Sequence, residues 1–176
     1  HKEYRRQRQM CIRDRPALGK PAVDKPAVDK WEKEVAGIEA RNRGRPEGGV
    51  VFTGSSSIRL WDLGDSFPHE SFINAGFGGS NIPACTHFVD RLVTVHKPRA
   101  VVFYAGDNDI AGGRTAEQLR DDFVAFASAV HATVPNCRVL FVSVKPSIKR
   151  WEKYETQTRA NALVREACGR DDDRLA

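Results

Sequence analysis

Four short runs of consecutive apolar residues, each followed by a turn and then by helical spacing, restrict what sheet this chain can build. The runs are Val50-Val51-Phe52-Thr53, Ser71-Phe72-Ile73-Asn74, Ala100-Val101-Val102-Phe103-Tyr104 and Val139-Leu140-Phe141-Val142-Ser143. Strands apolar on both faces must be covered on both faces, and the intervening helices supply the cover, which is the arrangement of a parallel sheet. A short helix is expected through Leu60-Trp61 and another over about 83–96. A long one opens at Thr115, where Gln118 completes a capping box and Leu119, Phe123, Phe126, Val130 and Val134 share a face. The segment YETQTRANALVREAC supplies the last. The expected fold is α/β, a three-layer α/β/α sandwich on a parallel, flavodoxin-like sheet.

The part before residue 50 reads differently. Residues 1–15, HKEYRRQRQMCIRDR, have no apolar stretch and resemble translated sequencing-adapter sequence from metagenomic assemblies. KPAVDKPAVDK (20–30) repeats PAVDK twice and reads as an extended linker, and a short helix over 31–42 places Trp31, Val35 and Ile38 on one face. Residues 1–49 therefore read as a leader, and 50–176 as the domain. The net charge of +5 belongs to that leader, with 13 basic and 8 acidic residues; the domain holds 15 of each. A basic nucleic-acid-binding face is not expected. No apolar run approaches membrane-spanning length, and no signal peptide is visible, although the adapter-like start leaves localisation unread. Cys11, Cys85, Cys137 and Cys168 stand far apart with no C-x-x-C pair, so buried free thiols are expected.

In open parallel sheets ligands bind at the carboxyl ends of the strands. The loops after the first three strands hold the unusual residues. Ser56 follows a strand and precedes a helix, with Gly54 permitting the turn and Ser55 placed to cap the helix. After the second strand, GFGGS includes Gly79, whose backbone N–H is unobstructed; a Cβ there is expected to narrow the approach to it. After the third, Asn108 in GDND offers an amide donor. A nucleophile, a backbone donor and an amide donor are the parts of an acyl-transfer site. Each also has an ordinary reading as turn chemistry. The literal GDS at 64–66 lacks a preceding apolar strand, and Ser66 is expected to be a loop residue.

Residues 50–168 resemble the SGNH hydrolases, the GDSL-type esterases and lipases. VVFTGSSSIRLW is similar to the nucleophile block, NAGFGGSN to the glycine block and GDND to the asparagine block. The resemblance implies Ser56 as nucleophile, and the Ser56 and Gly79 N–H groups with Asn108 as the oxyanion hole. It implies no cofactor and no metal. Where the family usually has Asp after the glycine, this chain has Ser55; both are good N-caps, so the turn is expected to survive. The resemblance also implies a base in a D-x-x-H motif after a fifth strand. No D-x-x-H occurs in this sequence. The expectation is a C-terminally truncated hydrolase, with its last strand, helix and Asp–His pair missing and little activity by itself.

The partner implied is a small-molecule ester: a lipid, an acyl ester or an acetylated carbohydrate. The alternative is a non-catalytic carbohydrate- or lipid-binding domain on the same fold. A nucleotide binder is disfavoured, because no Walker lysine follows the glycines. Lys145, Lys149, Arg150 and Lys153 after the fourth strand read as a solvated cationic rim. Asp171-Asp172-Asp173 reads as a solvated connector, and His69, His87, His96 and His131 as surface or packing residues. Oligomeric state is not legible.

Overall fold

The computed structural model describes residues 28–169. Strands β1 (Val50–Gly54), β2 (Ile73–Gly76), β3 (Ala100–Tyr104) and β4 (Arg138–Phe141) form one parallel sheet in the order β2-β1-β3-β4. The chain steps outward from β1 to β2, then crosses back past β1 to β3. The switch point therefore lies between β1 and β3, at the carboxyl ends of the two central strands.

Three of the expected strands needed adjustment; β1 runs one residue further than expected, to Gly54. β2 starts two residues later than the apolar run and ends on Gly76, because its register pairs Ile73 with Val51 and Gly76 with Gly54. A glycine at a strand end gives no apolar signal. β4 begins at Arg138, opposite Ala100, and ends at Phe141, although the Val142 N–H still donates to the Phe103 carbonyl at 2.8 Å.

The helices are α1 (Glu32–Asn42), α2 (Ser56–Arg59), α3 (Leu63–Ser66), α4 (Ile82–His87), α5 (Val89–Leu92), α6 (Asp107–Ala111), α7 (Ala116–Thr133) and α8 (Tyr154–Cys168). Single 3₁₀ segments lie at Thr94–His96 and Ile148–Lys153. The capping box at Thr115 and Gln118 is formed in both directions. The helix expected over 83–96 is three pieces instead. Its breaks fall at Phe88 and Val93, whose backbones leave helical geometry while their side chains enter the core. The linker reading also stops short of residue 30. Val28 and Asp29 are helical, Val28 is buried, and its carbonyl accepts the Trp31 N–H at 2.9 Å. The rest of that linker, the adapter-like residues and Asp171-Asp172-Asp173 lie outside the described residues.

The sheet buries its two faces unequally. Val51, Ile73, Ala75, Val101, Phe103 and Val139 point to one face, where they join buried residues of α1, α4, α5, α7 and α8 in a single core cluster. The opposite face holds Phe52 and Tyr104, covered by Ile58 and Leu63 of the one-turn helices α2 and α3 and by Phe67 and Phe72. There Phe52 meets Trp61, Phe67 and Phe72 at ring separations of 5.5, 5.9 and 5.3 Å. Aromatic rings supply much of the area that long helices supply on the first face. Cys85 and Cys137 are buried free thiols as expected, and Cys168 is only half-buried.

Candidate active site

Parallel strands that end together deliver their loops to one edge. Gly54 and Gly76 are register partners, and so are Gly54 and Tyr104. The Ser55 N–H donates to the Tyr104 carbonyl at 2.8 Å, and the Phe77 N–H to the Gly54 carbonyl at 3.0 Å. The turn after β1 is thereby pinned to both neighbouring strands. Gly54 is required there: its φ is +130°, and a Cβ would lie 1.9 Å from the Tyr104 carbonyl oxygen. Ser56 then becomes the first residue of α2.

Ser55 takes the N-cap position in extended geometry, but its side chain makes no capping bond. The expected position is right and the expected bond is not formed. Ser56 is half-buried, and the N–H groups at the start of a helix have no carbonyl of their own turn to meet. Ser66 is not a loop residue. It ends the one-turn helix α3, capped by Asp62, and its Oγ accepts the Trp61 indole N–H at 2.8 Å. That serine is occupied in fastening an aromatic side chain.

The glycine loop after β2 is held from the leader side. Trp31 donates its indole N–H to the Gly78 carbonyl at 2.8 Å, and the Gly78 N–H donates to Glu34 Oε1 at 3.1 Å. Glu34 also meets Arg59 of α2 at 3.4 Å, so one carboxylate ties the glycine loop to the Ser56 turn. Gly79 adopts φ +63°, and no protein atom lies within 4 Å of where its Cβ would stand. The neighbourhood of Gly79 is thus open, and what a side chain would cost from the protein itself is backbone conformation rather than collision.

The third loop is locked to the second. Asn108 Nδ2 donates to the Ser80 carbonyl at 3.0 Å, next to Gly79, which leaves its second N–H for another acceptor. Asp109 Oδ1 accepts the Ile82 N–H at 2.9 Å, while Oδ2 is buried without a hydrogen-bond partner. Burial pushes the Asp109 carboxyl up to about 6, with nearby Asp122 adding to the effect and the Ile82 N–H opposing it. Burial also raises the Tyr104 phenol, helped by Asp107 and opposed by Ser57, so it is neutral at pH 7 and cannot serve as a base.

Arg150 is not part of a solvated rim. Its guanidinium pairs with Asp107 and reaches Asn108 Oδ1, and Gln157 donates to Asp107 Oδ1 at 3.0 Å from α8. Lys145 and Lys149 are exposed as expected. Trp31, Glu34, Asp107, Arg150 and Gln157 were missed as contributors to this edge. The acid in GDND was a usable signal for a cation; the leader's hold on Gly78 had none, because it depends on residues 44 and 47 positions away.

The four described histidines lie elsewhere. His96 sits beside Arg45 and Glu47, and its carbonyl accepts the Gly48 N–H ahead of β1. His131 Nε2 is 2.9 Å from the Cys137 carbonyl, ahead of β4. His69 is exposed before β2, and His87 is exposed at the end of α4 with its ring edge-on to Phe88 at 4.8 Å. Packing and surface roles are what these contacts describe.

The three loop blocks lie in this order at the carboxyl edge of the parallel sheet. Residues 54–176 match the model of the GDSL-like Lipase/Acylhydrolase family, and the chain belongs to it. Solved structures agree on the fold. A Streptococcus pneumonia protein provisionally called a platelet activating factor superposes with TM-score 0.74 at 17% identity, over 85% of this chain and 74% of that one. A Bacteroides fragilis protein provisionally called an acylhydrolase gives 0.67 at 18% identity, over 88% and 77%. A GDSL-like lipase from Bacteroides thetaiotaomicron gives 0.60 at 22% identity, over 79% and 70%. None of the curated proteins matches the sequence.

Proposed function

We propose that this domain is the nucleophile-bearing part of a serine ester hydrolase, with Ser56 attacking the ester carbonyl. The observation that carries the reading is the locked edge: Gly54, Gly78-Gly79 and Asn108 come from three loops joined by hydrogen bonds rather than lying as independent turns. Attack by Ser56 Oγ on the carbonyl carbon places negative charge on the carbonyl oxygen. The Ser56 and Gly79 N–H groups and the free N–H of Asn108 would receive that oxyanion. Their positions are set before substrate arrives, so little reorganisation is needed as charge develops. Expulsion of the alcohol leaves a seryl ester, which water then hydrolyses.

The Ser56 proton must pass to a base. None of the four described histidines is attached to this edge, so the reading assigns no base for Ser56 among the described residues. The substrate class is a small ester: a lipid, an acyl ester or an acetylated carbohydrate. Ile148 and Trp151, both well exposed on the segment that holds Arg150, favour an ester with an apolar part.

A fluorophosphonate probe tests the assignment. Peptide mass spectrometry should place its adduct on Ser56, and faster in a form of the protein that carries an Asp–His pair. An adduct on Ser66, or binding of phosphate or nucleotide with no adduct at all, would overturn it.

A further inference from the structure

We infer that Arg150 is a positioning residue for the oxyanion hole: it fixes and polarises the Asn108 amide whose nitrogen end is held by the glycine loop. This rests on the reading of Asn108 as an oxyanion donor. A side-chain amide can present either end, and its use as a donor requires that the choice be made for it. Here both ends are engaged. Nδ2 donates to the Ser80 carbonyl at 3.0 Å, while Oδ1 lies 3.4 Å from both Nη1 and Nη2 of Arg150. A flipped amide would set oxygen against the Ser80 carbonyl and N–H groups against a guanidinium, two repulsions in place of two attractions.

The guanidinium is itself held. Asp107 pairs with Arg150 through Oδ2, and buried Gln157 donates to Oδ1 of the same carboxylate at 3.0 Å. The helical run Ile148–Lys153 is broken at Arg150, whose φ of −129° leaves helical geometry there. Asp107 and Asn108 are consecutive residues, so one planar fork spans a carboxylate and the neighbouring amide. A lysine ammonium is a point charge and can satisfy Asp107 without spanning both. Cation contact at Oδ1 also draws electron density from the amide and strengthens its remaining N–H as a donor.

The test reads the amide directly. In ¹⁵N-labelled chain, the Asn108 side-chain NH₂ pair is identified by its disappearance in Asn108→Asp. In the unaltered protein the two protons should be well dispersed and slow to exchange with water. In Arg150→Met they should move toward the shifts of an exposed asparagine. Arg150→Lys should do the same while the backbone spectrum stays native, which covers the event that the Met variant unfolds. The fluorophosphonate rate at Ser56 should fall about tenfold in Arg150→Lys. In an Asn108→Ala background the same substitution should cost nothing further, because Arg150 acts through that amide. An unchanged NH₂ pair in Arg150→Lys, or an equal loss in the Asn108→Ala background, would overturn the inference. If Ser56 takes no label in any variant, the nucleophile reading fails, and the NH₂ resonances still decide whether Arg150 orders Asn108.

Discussion

The two ends of this sheet are built from similar material and arranged to opposite purposes. At the amino ends, loops connect by plain backbone bonds such as Gly48 N–H to His96 O and Arg99 N–H to Gly49 O, at 3.0 Å each. Side chains there add peripheral contacts, such as Lys97 with Glu47 and Arg45 with the Phe72 carbonyl, and His96 is half-buried beside Arg45 and Glu47. At the carboxyl ends, polar groups point at one another. Glu34 bridges Arg59 and Gly78, Arg150 bridges Asp107 and Asn108, and Asp109 holds the start of α4. Desolvating such groups costs free energy that apolar packing does not, so a fold selected only for stability would not concentrate them. The proposed site lies at the end where polar groups meet, and experiment can test that contrast.

The largest expected effect separates two serines. In a form carrying its base, Ser56→Ala should lower kcat for p-nitrophenyl acetate by on the order of 10⁶. Ser66→Ala should leave turnover near normal and loosen Trp61, which loses its 2.8 Å acceptor. Equal losses from both would erase the distinction between the nucleophile turn and the α3 turn.

Asn108→Ala should come next, lowering kcat by roughly 10²–10³ with much less change in KM, since the proposed role sets the amide against charge that exists only in the transition state. A normal kcat with a raised KM would make Asn108 a contact to bound substrate instead.

Asp109 offers a smaller effect, read in stability. Its carboxyl is raised in the folded protein to about 6, above the ordinary value near 3.9 in an unfolded chain. Between those values the folded state binds more protons than the unfolded one, so this group's contribution is most favourable below pH 4 and is lost as pH rises through 6. The loss is at most about 3 kcal/mol for a shift of about two units. Glu39, lowered by Arg91, works in the opposite sense. Asp109→Asn should therefore flatten the decline in urea midpoint between pH 4.5 and 7.5. A decline as steep as in the unaltered protein would mean that the unpartnered Oδ2 is solvated in solution.

Most of the sheet was legible because burial on both faces leaves uninterrupted apolar runs, and β3 was read to the residue. The site's blocks were legible for a related reason: Gly54, Gly79 and Asn108 are local exceptions to the strand and helix patterns around them. What stayed hidden is non-local. Nothing near Trp31 or Glu34 announces Gly78, and nothing near Arg150 announces Asn108, 42 residues earlier. Such pairings depend on how loops close over the edge, and periodicity carries no information about that. The breaks at Phe88 and Val93 were missed because a segment buried almost all round gives helical spacing whether or not it is one helix.

The smallest expected effect is the most exposing for this comparison. His69→Gln, His87→Gln, His96→Gln and His131→Gln should each leave the fluorophosphonate rate at Ser56 unchanged. Fold stability should shift by about 0.5 kcal/mol or less at the exposed His69 and His87. His131→Gln should cost more stability, since its ring contacts the Cys137 carbonyl at 2.9 Å, yet still leave the rate alone. His96, whose imidazole is held below its ordinary value by burial first and by Arg45 second, belongs to the amino ends and should behave likewise. A base must come within hydrogen-bond reach of the serine it deprotonates, directly or through one water. Robust turnover by this chain that vanished with any one of the four would therefore bring a histidine to Ser56 and end the division of labour between the two ends of the sheet.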